Sequence, residues 1–171
     1  MKTKYLTLLF ALIIAIPATS QERMAKLSKS EKRQAAYERT KSLIESGEFV
    51  FEALWAFPQS GQAVNVIGDN NRFEVKDGTA TGSMQYFGTA YTARINLRNQ
   101  GLVMDGPIEN WRIITNDKRQ KLAARFMTSK KREVYDMEIS IAAGGSAVVI
   151  VSSSLRDPMR YEGYVRPIAV E

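Results

Sequence analysis

The chain contains no cysteine and no histidine among its 171 residues. Without cysteine it has no disulfide bond, no thiolate nucleophile and no thiolate metal ligand. Without histidine it has neither a Ser-His-Asp nor a Cys-His catalytic centre, and it lacks the usual zinc ligand. A calcium-loop pattern is also missing. We therefore predict no metal site, no cofactor site and no catalytic residue, although carboxylates, lysine, tyrosine, serine and threonine are present.

The N-terminus has the form of a secretory signal peptide. Two lysines precede a mostly apolar stretch at 5–16, and the small residues Ala18 and Ser20 stand before a cut at Gln21. Twelve helical residues rise about 18 Å, which is too short for a hydrocarbon core of about 30 Å. We expect residues 1–20 to be removed and the remaining protein to be periplasmic or secreted, without a transmembrane segment.

The positive charge is concentrated near the new N-terminus. The formal net charge is +6, and residues 22–41 hold seven basic and three acidic side chains. Residues 42–171 hold fifteen of each sign and are neutral, which argues against nucleic-acid binding. The basic segment 22–41 is most simply a solvated helix face, with peripheral contact to an anionic membrane surface or an acidic glycan as the alternative.

Residues 21–46 are predicted to form a basic N-terminal helical segment. Ser28 and Glu31 have the spacing of a capping box, and Gly47 is placed to end the helix. Only a thin apolar stripe accompanies them.

After Gly47 the apolar residues alternate with a period of two, and 47–171 are predicted to form an all-β domain. At 48–57 one face of the first strand holds Phe49, Phe51, Ala53, Trp55 and Phe57. Further short strands follow at intervals of 8–12 residues without intervening helices, which predicts antiparallel pairing. The expected fold is mainly β: an antiparallel β-sandwich or partly closed barrel of about ten strands, with one N-terminal α-helix.

Two clusters of aromatic residues and glycine are the candidate ligand-binding residues. The first surrounds a glycine between two strand patterns, and the second lies on the last strand. Exposed rings can stack on a sugar or a peptide, and glycine allows a close approach of backbone or ligand. Core packing is the simpler explanation of the same residues, because aromatic side chains usually lie in the core. The six candidates are Tyr86, Phe87, Gly88, Tyr91, Tyr161 and Gly163.

These residues resemble a known family. The pattern Tyr86-Phe87-Gly88-x-Ala90-Tyr91, followed by Arg156 and Tyr161-x-Gly163-x-x-x-Pro167, is similar to domain of unknown function 4251, a group of exported bacterial proteins found mainly in the Bacteroides lineage. The resemblance implies a compact, mainly β exported domain and brings no activity with it. Met84-Gln85 stands where the family has Leu-Pro, and Thr89 stands where it has Arg, so a role of that arginine is not carried over.

Three functions remain open. The leading hypothesis is a non-catalytic binding module for a glycan, lipid, peptide or envelope partner, with residues 86–91 supplying contact area. The first alternative is a carboxylate-based hydrolase, for which Asp136 and Glu138 share one strand face. The second alternative is a structural or assembly factor of the cell envelope that docks through the basic helix. A ligand-binding module needs a concave aromatic surface, a hydrolase needs two carboxyl groups in a cleft, and an assembly factor needs an exposed apolar or basic patch.

Overall fold

The computed structural model of the protein describes residues 28–68, 70–91 and 101–169. The predicted signal peptide at 1–20 and the start of the predicted helix lie outside these residues. So does nearly all of 91–98, where alternating apolar residues predict one of the short strands of the β domain. Within the described ranges, no helix is both long enough and apolar enough to cross a bilayer.

One helix, α1 (Lys29–Glu45), precedes the strands. Its capping box is formed: the Glu31 N–H donates to Ser28 Oγ, and the Ser28 N–H donates to the Glu31 carboxylate. Gly47 follows the helix with a φ of +70°, the left-handed conformation that ends many helices. The helix buries only three side chains, those of Tyr37, Thr40 and Ile44.

Ten strands follow α1 in the described chain, and a short 3-10 helix (Asp117–Arg119) lies between the sixth and the seventh. They are β1 (Phe49–Pro58), β2 (Val64–Asn65), β3 (Arg72–Lys76), β4 (Thr79–Met84), β5 (Leu102–Pro107), β6 (Glu109–Asn116), β7 (Lys121–Lys130), β8 (Glu133–Ala142), β9 (Ser146–Ser153) and β10 (Met159–Arg166). All pairings are antiparallel, in the order β5-β4-β3-β1-β10-β9-β8-β7-β6, with the short β2 beside β1.

The sheet nearly closes into a barrel. Strands β5 and β6 stand at opposite ends of the strand order, yet only Ile108 separates them along the chain. One bent segment therefore pairs with β4 through its first half and with β7 through its second half. Near the bend, the Thr128 hydroxyl donates to the Gly106 carbonyl at 3.2 Å. The predicted mainly β fold with one N-terminal helix is confirmed, in its barrel form.

Aromatic rings fill the interior. Their centroids are 5.4 Å apart for Phe51–Phe73, 6.3 Å for Phe73–Phe126, 5.5 Å for Phe126–Trp111 and 6.3 Å for Trp111–Phe49. Such spacings are those of packed aromatic pairs. In the described residues every buried side-chain nitrogen and oxygen also has a hydrogen-bond partner. The interior is thus a packed core.

Helix α1 covers one end of the barrel. The Thr40 hydroxyl donates to the carbonyl of Ala143, in the β8–β9 turn, at 2.9 Å. The Tyr37 hydroxyl donates to the carboxylate of Asp117, in the β6–β7 turn. Burial, followed by the contact with Asp117, raises the pKa of Tyr37 to about 12. Polar contacts such as these thus hold the helix across the turns, where its thin apolar stripe would be a weak attachment.

The first strand departs from the predicted alternation at a bulge. Its register shifts between Ala53 and Trp55, so Ala56 is fully buried and Trp55 faces solvent with 40% of its surface exposed. The prediction that Trp55 shares a face with Phe49 is therefore wrong. An extra residue reverses the side-chain alternation beyond it.

Gly163 on β10 lies directly against this bulge. A Cβ atom at that position would stand 1.9 Å from the Glu52 carbonyl oxygen and 2.9 Å from Ala53 Cα. Both neighbours are backbone atoms, so a side chain could be accommodated only by moving β1. The absence of a side chain at Gly163 is what permits this close approach of the two strands.

We predict that Gly163→Ala lowers the free energy of unfolding by about 2 kcal/mol, because overpacking a filled site forces backbone shifts. Gly144→Ala is the matched control, since a Cβ there has no neighbour within 4 Å and the glycine has no positive φ. Urea unfolding of both variants, followed by circular dichroism, measures the difference. Equal stability of the two variants would contradict the packing role of Gly163.

Candidate functional site

The first predicted cluster pairs with the segment that leads into β10, at the end of the barrel opposite α1. The Tyr91 N–H donates to the Leu155 carbonyl, and the Asp157 N–H donates to the Thr89 carbonyl, each at 2.9 Å. Ala90 forms an isolated bridge with Arg156. The fold thus joins the backbone of the first cluster to the connection between β9 and β10, a contact that the local composition does not indicate.

Tyr86 and Gly88 form a tight local unit. The Tyr86 ring folds back over Gly88, where a Cβ would lie 2.5 Å from the tyrosine hydroxyl oxygen. That hydroxyl donates to the Thr89 carbonyl at 2.6 Å, and the Arg156 guanidinium lies 5.1 Å from the ring centroid. Burial raises the pKa of Tyr86 to about 12. Packing thus explains the glycine of this motif, because a side chain at Gly88 would collide with the Tyr86 ring.

Beneath this unit lies a buried ion pair that the sequence analysis missed. Arg156 donates from Nε and Nη2 to the two carboxylate oxygens of Glu133, both at 2.8 Å. The Ser153 hydroxyl donates to the same carboxylate. Burial alone raises the pKa of Glu133, but the hydrogen bonds from Arg156 and Ser153 outweigh it and hold the pKa below its ordinary value. Glu133 follows a run of three basic residues, and nothing in that pattern marks it as buried.

Tyr161 and Gly163 lie inside the fold. Tyr161 is fully buried, and its hydroxyl donates to the Gln85 carbonyl at 2.7 Å. Burial raises the pKa of Tyr161 far above its ordinary value. Gly163 is covered by β1, as described above. Both candidates therefore have a structural role: Tyr161 bonds to the segment after β4, and Gly163 allows the close approach of β1.

Phe87 and Tyr91 are the members of the motif that reach solvent, with 39% and 63% of their surfaces exposed. The Tyr91 hydroxyl donates to the Asp157 carboxylate, and this contact lowers the pKa of Asp157. A ligand-binding role for the six candidate residues stays a prediction.

We predict that Glu133→Gln destabilises the protein by about 3 kcal/mol at pH 7, because it leaves the buried Arg156 charge without a counter-ion. The pKa of Glu133 is lowered in the folded state, so its stabilisation is present above its ordinary pKa of 4.5 and is lost as the pH falls below it. The variant should therefore also show a weaker loss of stability on acidification below pH 4.5. Denaturant unfolding at several pH values measures both effects.

The control for this prediction is Asp136→Asn on the same strand. Asp136 also forms a two-point ion pair, with Arg125, but that pair lies at the surface. Exposed pairs contribute about 1 kcal/mol or less. If both variants lost the same stability, burial would not be what makes the Arg156–Glu133 pair important.

A larger concave feature lies on the outer face of the sheet. It is an open groove of about 640 Å³ that crosses six strands, from β6 to β1. A continuous row of paired outward residues forms its centre: Ile114, Ala123, Ser140, Val148, Glu162 and Trp55. No candidate of the sequence analysis except Gly163, whose backbone contributes to the floor, lines it.

The size of the outward side chains creates the groove. The central strands β7, β8 and β9 present small residues there, among them Ala123, Ser140 and Ser146, whereas larger side chains stand on the flanking strands. On one side are the rings of Trp55 and Tyr164, each 40% exposed. The alternation in the sequence does not indicate how large the outward side chains are, and it places Trp55 on the face of Phe49, so it does not predict the groove.

Polar groups are distributed along the groove. The Glu162 carboxylate accepts from Arg160 at 2.5 Å, and Ser140 and Ser146 are exposed on the floor. Asn116 and Lys121 stand at the end near β6, opposite the two rings. The arrangement provides aromatic surface at one side and hydrogen-bonding groups across the remainder.

The carboxylates proposed for hydrolysis are not arranged in this groove. Asp136 lies on the outer face as the partner of Arg125, and neither it nor Glu138 lines the groove. Among the described residues, no three acidic side chains come together in a way that would hold a metal ion.

Fold and surface together define a small β-barrel, covered at one end by a helix and carrying an open groove on its outer face. The chain belongs to the family described as domain of unknown function DUF4251, whose model matches residues 31–165. The family resemblance noted from the sequence is thereby confirmed.

A solved relative has the same fold. The chain is similar to a DUF4251 family protein from Bacteroides eggerthii, with a TM-score of 0.62 and 20% sequence identity over 78% of this chain and 89% of that one. None of the curated proteins compared with the chain matches it.

Proposed function

We propose that the protein is an exported, non-catalytic binding module and that its ligand is an oligosaccharide lying along the outer groove. The observation that carries the proposal is the pair of exposed rings, Trp55 and Tyr164, beside a floor of small hydroxyl and alkyl side chains. The signal-peptide pattern at 1–20 supports export.

The packed interior favours a ligand site on the outer face of the barrel. Many β-barrels hold a ligand inside, but this one is packed with aromatic rings, and its buried polar groups are satisfied in the described residues. A hydrocarbon ligand needs an enclosed apolar site, and the groove is open to water. A peptide that adds a strand needs a free sheet edge, whereas β5 and β6 run into each other at the two ends of the strand order.

The chemistry of the groove matches a sugar. A pyranose ring has C–H faces that pack on aromatic rings, and it has hydroxyl groups at its edges that need hydrogen-bond partners. Trp55 and Tyr164 supply the first kind of surface. Ser140, Ser146 and the Glu162 carboxylate supply the second. An open groove also leaves part of the ligand hydrated, which suits a molecule with many hydroxyl groups.

We predict that Trp55→Ala abolishes measurable binding to an array of neutral and acidic oligosaccharides and leaves the fold intact, because exposed side chains contribute little to stability. Leu54 also lines the groove, and Leu54→Ala should weaken binding less because no ring is lost. Thermal unfolding of each variant establishes that loss of binding is not loss of structure.

Fluorescence gives a second readout in solution. The chain has two tryptophans, and Trp111 lies in the barrel against Phe49 and Phe126. In Trp111→Phe the remaining tryptophan emission comes from Trp55. An oligosaccharide bound in the groove should therefore shift the wavelength of that emission and reduce its quenching by acrylamide.

The exposed residues of the motif at 86–91 are the alternative ligand site, and the same array tests them. Tyr91→Ala removes the most exposed ring of the predicted motif without touching the groove. Binding that survives Trp55→Ala and is lost in Tyr91→Ala would place the ligand at residues 86–91 and overturn the groove proposal. The groove proposal would also be overturned if no oligosaccharide on the array bound the protein in a way that requires Trp55.

A further inference from the structure

We propose that the oligosaccharide in the groove is acidic and that its carboxylate or sulfate group lies at Lys121. This inference rests on the proposed function and specifies the class of ligand. It follows from the distribution of charge along the groove.

Lys121 is the charged residue of the groove that has no counter-ion in the described part of the chain. Among the described residues that line the groove, Glu162 supplies the one carboxylate, and Arg160 engages it at 2.5 Å. Lys121 is exposed, and within the described ranges no carboxylate oxygen lies within 4.0 Å of its ammonium group. The groove is thus electrically balanced at its β10 side and positive at its β7 side.

The adjoining turn strengthens the positive end. Lys118 and Arg119 precede Lys121 in the β6–β7 connection, and neither forms an ion pair in the part of the chain described. The acid of that turn, Asp117, is already engaged by the Lys41 ammonium and the Tyr37 hydroxyl. These contacts hold the pKa of Asp117 below its ordinary value, so it stays ionised as their partner.

The distance between the aromatic rings and Lys121 determines how long the ligand must be. Tyr164 on β10 and Lys121 on β7 are separated by three strand spacings, which is about 14 Å across the sheet. A single sugar ring does not span that distance. A ligand that stacks on Tyr164 and pairs with Lys121 is therefore an oligosaccharide whose acidic group stands away from the stacked ring.

The expected contribution of Lys121 is modest. Its ammonium group is exposed, and an exposed ion pair contributes about 1 kcal/mol or less, which corresponds to about fivefold in affinity. The contribution should fall with added salt, because charges at the surface are screened over about 8 Å at physiological ionic strength.

The test compares carboxylate-bearing oligosaccharides with their methyl esters on the same array, with the purified protein. The ester keeps the rings and removes the charge. We expect the acids that bind in a Trp55-dependent way to bind about fivefold more tightly than their esters in 50 mM salt, and this preference to shrink in 500 mM salt. Lys121→Gln should remove the preference, and Lys121→Arg should retain it.

Lys76→Gln is the matched control. Lys76 is an exposed lysine on β3, away from the groove, so its replacement removes the same net charge from a different place. It should leave the preference for acids unchanged.

The outcomes separate the two proposals. Trp55-dependent binding of esters and acids with equal affinity would overturn the assignment of an acidic ligand and leave the groove as the sugar site. A preference that persists in Lys121→Gln would place the anion elsewhere and also overturn it. If neither acids nor esters bound the unmodified protein in a way that requires Trp55, the proposed function itself would be contradicted.

Discussion

The close approach of β1 and β10 at Gly163 is the contact on which the proposed site depends. The Glu52 carbonyl occupies the space that a Cβ at Gly163 would need, and the β1 bulge lies directly beyond it. The bulge reverses the alternation of side chains, so Ala56 enters the core and Trp55 turns outward. Without that reversal, one ring of the groove would be inside the barrel.

The structure divides its aromatic residues between two tasks. The rings inside, such as Phe73 and Phe126, pack against one another in the core of the barrel. The rings outside, Trp55 and Tyr164, border a floor of small side chains. The motif at 86–91 lies between these extremes, because Tyr86 packs on Gly88 above the Arg156–Glu133 pair while Tyr91 faces solvent. The best-defined motif of the sequence is thus largely a packing unit.

Much of the fold could be predicted because it rests on local patterns. The capping box at Ser28, the stop at Gly47 and the alternation in strands such as β8 act within a few residues. The candidate groove could not be predicted, since it combines a few residues from each of six strands. The pairing of Arg156 with Glu133 was missed for the same reason, because twenty-three residues separate them along the chain.

The sequence by itself determined the absence of thiol and imidazole chemistry, the signal-peptide pattern, the concentration of positive charge near the N-terminus and the mainly β character. These properties depend on composition and on short-range periodicity, which do not require knowledge of strand order. Only the tertiary structure decided the register at the β1 bulge and the face on which Trp55 stands. Strand register depends on contacts between distant segments, and a shift of one residue moves every later side chain to the opposite face.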